Sequence, residues 1–184
     1  MYRSTAWLAY LRRINPDHSD AVWQALRTAE LEFGLENKEL FVRIDGVNPE
    51  SHLKEEVVNR TVSMVATVPA VREFLSNHVR RFSTLDNIVV EGRDIGSVVF
   101  PQTPFKFYID ASPEIRARRR AAQGLKDSTA HRDRIDSSRR SSPLMIADDA
   151  EVIDTSALTI DRVVKDVVLR LQRKGLTSAL SVNL

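Results

Sequence analysis

Glu91-Gly92-Arg93-Asp94-Ile95-Gly96 sets an arginine and an aspartate side by side between two glycines. The glycines permit a tight backbone turn, and the two charges could grip a polar ligand from opposite ends. The same residues would also make an ordinary Gly-Arg-Asp turn closed by a surface ion pair. A second constellation runs Arg132-Asp133-Arg134-Ile135-Asp136-Ser137-Ser138-Arg139-Arg140. On a helix, Arg132, Asp136 and Arg139/Arg140 would share one face, and that spacing also suits a salt-bridged solvent face. Only Ile135 offers apolar support, so this segment is expected to pack weakly and to move. Mobile arginines around a substrate are what phosphoryl transfer needs, because they neutralise charge and exclude water.

These residues need a frame. Met1–Arg13 has Tyr2, Ala6, Ala9 and Tyr10 at helical spacing, and Ser19–Thr28 reads as a second helix. Glu30–Phe33 and Leu40–Ile44 read as an antiparallel hairpin, turning at Glu36-Asn37-Lys38 and closed by Asp45-Gly46. Helix returns from Glu55 to Phe82 and is divided at Pro69, which suits the first position of a new helix. The second half alternates. Ile88–Glu91, Phe105–Ile109 and Glu151–Asp154 read as strands, with helices after Ser112 and from Ile160 onward. Ser112 is an expected N-cap, with Pro113 and Glu114 behind it in the first turn. Alternation of strand and helix predicts an α/β fold with a parallel sheet, whose ligands belong at the carboxyl ends of the strands. The Gly-Arg-Asp turn follows the first of these strands.

Composition narrows the classes. The chain has 184 residues, 42% of them hydrophobic and 28% charged, which is globular rather than disordered. It has no cysteine, hence no disulfide framework or thiolate metal site, and its four histidines are scattered. No run reaches membrane-span length and no signal peptide opens the sequence, so a cytoplasmic setting is expected. Net charge is only +2, yet 21 of the 27 basic residues are arginine, and eight of those lie between Arg116 and Arg140. Arginine is favoured where planar, bidentate binding of phosphate matters. A nucleic-acid-binding arm would be basic too. The segment has no interleaved aromatics for base stacking, and Asp133 and Asp136 would repel a phosphate backbone, which disfavours that reading.

The run Val89-Val90-Glu91-Gly92-Arg93-Asp94-Ile95-Gly96-Ser97-Val98-Val99-Phe100-Pro101 resembles the signature of bacterial cytidylate kinases. Further segments match in order: Met1-Tyr2-Arg3, Val68-Pro69-Ala70-Val71-Arg72, Asp110–Glu114 with its arginine helix, Arg132 to Leu144, and Ala147-Asp148-Asp149-Ala150 leading into Val152–Ser156. The resemblance implies a P-loop-type nucleoside monophosphate kinase fold, a parallel sheet flanked by helices. Residues 1–28 and 83–184 would form the core, 29–82 the monophosphate-binding insert and 124–143 a lid. It implies transfer of the γ-phosphoryl of ATP, with Mg²⁺, to CMP or dCMP by a monomer. Carried over by resemblance, Arg3, Arg93 and Arg139 hold the acceptor phosphate, while Ser63, Arg72 and Asp94 read the cytosine edge. Asp136 with Arg132 reaches the sugar, Arg132 and Arg139 neutralise the transferring phosphoryl, and Arg116 stacks on the ATP base.

The sequence departs from the family pattern in three places. Lys54 stands where the family usually has arginine, which loses the bidentate fork. The stretch between Arg120 and Arg132 is short. No Gly-x-x-x-x-Gly-Lys-Ser/Thr occurs, so the loop that cradles the ATP phosphates is missing from the sequence, together with the central strand that the family places between Ile88–Glu91 and Phe105–Ile109. The expectation is a truncated form of the kinase with little activity as written, a marginal fold, or else a module that binds CMP without turnover.

Overall fold

The computed structural model describes residues 1–36, 39–85, 87–124 and 144–176. They fall into two compact units, residues 1–89 and residues from 90 onward.

The first unit is a helical cluster with a hairpin. Helices α1 (Tyr2–Leu11), α2 (Ser19–Thr28), α3 (Glu56–Val65) and α4 (Pro69–Phe82) surround a core that includes Trp7, Leu8, Val22, Leu26, Val58, Val65, Val71 and Leu75. Each such side chain contributes about 1.5–3 kcal/mol by leaving water, so this cluster holds the unit together. Helix α1 ends at Leu11, Arg13 just beyond it takes a positive φ of 53°, and Ile14 N–H donates back to the Ala9 carbonyl at 2.8 Å. Pro69 opens α4 at the first helical position, as its missing N–H and fixed φ allow.

Strands β1 (Leu31–Glu36) and β2 (Glu39–Ile44) pair antiparallel, with Leu31 opposite Ile44 and Glu36 opposite Glu39. Of the expected turn Glu36-Asn37-Lys38, residues 37 and 38 lie outside the described residues. At the other end Asp45 and Gly46 both take positive φ, 51° and 78°, and the Ile44 and Val47 backbones exchange two hydrogen bonds around them.

The second unit is thinner. Strands β3 (Phe107–Asp110) and β4 (Glu151–Asp154) run parallel, with Asp110 and Asp154 in register at their carboxyl ends. Helix α5 (Pro113–Ala122) starts where expected: Ser112 Oγ accepts from Ile115 N–H at 3.3 Å, and Pro113 follows. Glu114, in the first turn, has its carboxyl held below the usual range by its own backbone N–H and by Ser112. Helix α6 (Ile160–Arg173) is capped by Thr159 and carries Asp161 in its first turn and Arg170 and Arg173 in its last, both favourable to the helix dipole. No residue of α6 is fully buried, and the unit's fully buried apolar residues are Val99, Ala111 and Ile153 among those described.

One expectation changes. Ile88–Glu91 forms no strand: the segment pairs with no other strand among the described residues, and Val89 is fully solvent-exposed. The β-branched residues there favour extended backbone, but a strand exists only through a hydrogen-bonded neighbour. No helix among the described residues is long and apolar enough to cross a membrane.

Candidate functional site

In the first unit three of the singled-out residues sit on the helical cluster. Arg3, in the first turn of α1, donates through Nη1 to the Leu53 carbonyl at 2.7 Å and to Asn59 Oδ1 at 2.6 Å. Asn59 in turn donates through Nδ2 to the Lys54 carbonyl at 2.8 Å. Ser63 lies one turn beyond Asn59 on α3, and both are buried. Arg72, on α4, is buried as well. Its Nη1 donates to the Ala66 carbonyl at 2.8 Å, and its guanidinium lies over the Tyr2 ring at 5.4 Å. A buried guanidinium held by a carbonyl and a ring face keeps a fixed plane, the condition for directional hydrogen bonding to a flat ligand edge.

In the second unit Arg93 and Asp94 precede a short π-helical turn, Ile95–Val99. The Asp94 carbonyl accepts from the N–H groups of Val98 and Val99, at 2.9 and 3.2 Å, and Phe100 N–H donates to the Ile95 carbonyl at 2.8 Å. Such turns are rare and recur at functional sites. Asp94 is buried while Arg93 is exposed.

Gly96 lies close over the Lys106 stem, so a side chain there would make that stem shift by a few tenths of an ångström. A β-carbon on it would lie 3.3 Å from Cδ of Lys106, whose stem runs beneath the turn. The Lys106 ammonium is buried, donates to the Pro101 carbonyl at 2.6 Å, and pairs with both Asp149 oxygens at 2.7 Å. That bond holds the Asp149 carboxyl below the usual range. The Ala147-Asp148-Asp149-Ala150 segment is thereby tied to the Arg93-Asp94 turn.

At the carboxyl ends of β3 and β4, Thr155 N–H and Oγ–H both donate to the Asp110 carbonyl at 2.8 Å. Arg119 of α5 clamps this junction, donating to Thr155 Oγ1 at 2.9 Å and to its carbonyl at 2.7 Å. Ser156 Oγ accepts from Ser112 N–H and donates to Asp154, whose carboxyl is held low by the Ser156 hydroxyl and backbone N–H. Arg116, the residue assigned to the ATP base, is half-buried on the same helix.

Arg132, Asp136 and Arg139 lie outside the described residues. Asn59, Lys106 and Arg119 were not singled out from the sequence. The signal for Lys106 is a cation between two phenylalanines in an apolar run, which calls for a buried partner. Asn59 and Arg119 read as polar positions of ordinary helices and carry no such signal.

The fit to a Mg²⁺–ATP donor can be judged from the residues present. The sequence has no glycine-rich lysine loop to wrap the phosphates, and among the described residues no three His, Cys, Asp or Glu side chains converge as metal ligands. The donor phosphates and metal therefore have no cradle in these residues.

The cytidylate kinase family model matches residues 1–173. The chain is 42% identical over 142 residues to the cytidylate kinase of Pelotomaculum thermopropionicum, covering 71% of this chain and 63% of that relative. It is 38% identical over 188 residues to the cytidylate kinase of Corynebacterium diphtheriae, covering 95% and 81% of the two chains. To the bifunctional pantoate ligase/cytidylate kinase of Synechococcus sp. it is 35% identical over 181 residues, 91% of this chain and 35% of that protein. The chain thus spans less than two thirds of the first of these relatives and about a third of the bifunctional one. The chain belongs to the cytidylate kinase family of phosphotransferases.

Proposed function

We propose that this chain binds a cytidine monophosphate, CMP or dCMP, as the phosphoryl acceptor of a nucleoside monophosphate kinase that acts as a monomer. Arg3, Arg93 and Arg139 take the acceptor phosphate, and Ser63, Arg72 and Asp94 take the base. Asp136 with Arg132 takes the sugar. Arg132 and Arg139 offset the charge of the phosphoryl in transit, which is how a site with no covalent role lowers the barrier. The family resemblance makes ATP with Mg²⁺ the donor and sets its base against Arg116, while the residues present supply no loop for its phosphates.

The observation that carries this reading is the state of Arg72. It is buried beside Ser63's helix end with its guanidinium plane fixed by the Ala66 carbonyl and the Tyr2 ring. Such a group donates in a set direction, as the O2 and N3 acceptors of cytosine require. A carboxylate such as Asp94 accepts from the cytosine amino group and would meet the carbonyl of uracil with repulsion.

A second reading, CMP binding without turnover, is supported by the donor loop's absence from the sequence. On either reading the 184-residue chain has little or no kinase activity of its own.

Calorimetric titration of the chain with CMP, and separately with Mg²⁺–ATP, tests both. The expected result is micromolar CMP binding that weakens about tenfold or more in Arg72→Met, as loss of a charge-assisted bond implies. CMP binding no tighter than AMP binding would overturn the acceptor assignment. Robust phosphorylation of CMP by this chain would overturn the claim of low activity.

A further inference from the structure

We propose that Asn59 is a positioning residue for the acceptor phosphate, acting through Arg3; this rests on the reading of Arg3 as a phosphate ligand. Asn59 lies on α3 at 7% exposure, with both ends of its amide engaged. Oδ1 accepts from Arg3 Nη1 at 2.6 Å, and Nδ2 donates to the Lys54 carbonyl at 2.8 Å. The same Nη1 donates to the Leu53 carbonyl at 2.7 Å. One side-chain amide therefore fixes a guanidinium from α1 and the backbone of the loop that precedes α3.

The chemistry selects this residue type. Accepting from a guanidinium while donating to a carbonyl requires an amide, since a carboxylate has no donor and an aliphatic side chain has neither. The Asn59 oxygen is a neutral acceptor, so it orients the arginine without itself adding the negative charge that an aspartate at position 59 would bring beside a phosphate. Arginine also has a long, rotamer-rich stem, so holding it before the ligand arrives removes an ordering cost from binding. At position 54 this chain has lysine, and it is the Lys54 carbonyl, not the side chain, that the network uses.

The test compares CMP with cytidine, which differ by the phosphate alone, in the native chain, Asn59→Leu, Arg3→Met and the double variant. Asn59→Leu is expected to lower the CMP-to-cytidine affinity ratio about tenfold, with cytidine affinity changed less than about twofold. Arg3→Met is expected to do the same, and the double variant to lose no more than Arg3→Met alone, because both changes remove one interaction. Additive losses, or equal losses for CMP and cytidine, would show a merely structural Asn59 and overturn the proposal. A native chain that binds the two ligands alike overturns the assignment of Arg3 to phosphate itself. Should Asn59→Leu not fold, nitrogen-15 spectra of the native chain decide. Resolved, slowly exchanging Arg3 Nη protons support the proposal, and freely averaged ones overturn it.

Discussion

Removing either half of the Lys106–Asp149 pair should have opposite-sized consequences, because the two halves sit in different solvents. The Lys106 side chain is 4% exposed, whereas that of Asp149 is 62% exposed. Lys106→Met keeps an aliphatic stem beneath Gly96, and Asp149 is left well hydrated. What is lost is the donor to the Pro101 carbonyl, about 1 kcal/mol. Asp149→Ala leaves the ammonium in place with the Pro101 carbonyl at 2.6 Å among its remaining partners. Stranding a buried charge costs about 3–5 kcal/mol, and water entering the vacated carboxylate site lowers that to about 2–3 kcal/mol for Lys106. The double variant should resemble Lys106→Met, since the charge that needed a partner is gone. Hydrogen exchange at the amides of Val98, Val99 and Phe100 reads the turn directly, and exchange at β3 and β4 reads the unit that carries it. Asp149→Ala is expected to speed exchange in the turn by at least about tenfold more than Lys106→Met does. Equal effects, or the reverse order, would refute the reasoning that desolvation of Lys106 dominates.

Acid should destabilise both units over one pH range. Asp45 is held below its ordinary value by the Arg12 hydrogen bond and then by the Glu30 N–H, and Glu151 by Arg170 and then Lys174. A depressed folded-state pKa gives stability that is full above the unfolded values of 3.8 and 4.5 and is lost as pH falls through the lower folded values. Melting temperature should therefore stay level from neutral pH to about 5 and drop below it, and Asp45→Asn should flatten the first unit's part of that drop. At the other end of the second unit, Arg119→Met removes two bonds to Thr155. It is expected to speed exchange at the Thr155 amide about tenfold or more while leaving the turn at Val98 and Val99 unchanged, and equal loosening of both would sink the clamp assignment.

What could be read from the sequence was whatever depends on neighbours along the chain. The spacing of Tyr2, Ala6, Ala9 and Tyr10, the proline at 69 and the Ser112-Pro113-Glu114 cap each act within a few residues, and helices form where these signals place them. The hairpin was legible for the same reason, and the Asp45-Gly46 pair that ends it takes positive φ in the turn following β2. Ile88–Glu91 shows the limit. Its residues favour strand as strongly as Phe107–Asp110 do, but only the second run has a partner among the described residues, namely β4. Propensity cannot supply a hydrogen-bonded neighbour.

The candidate site divides along the same line. Arg93 and Asp94 are found from their glycines, a local signal. The groups that aim the site come from far along the chain: Asp149 reaches Lys106 across 43 residues, Asn59 reaches Arg3 across 56, and Arg119 reaches Thr155 across 36. Each of these is a polar contact whose worth depends on desolvation at both ends, which no sequence window contains. Neutral oxygens of Leu53, Asn59 and Ala66 help orient Arg3 and Arg72, whereas the Lys106 ammonium meets the Asp149 carboxylate. The proposed binding roles of Arg3 and Arg72 draw on these set orientations, and the Lys106–Asp149 brace underlies the turn that carries Asp94.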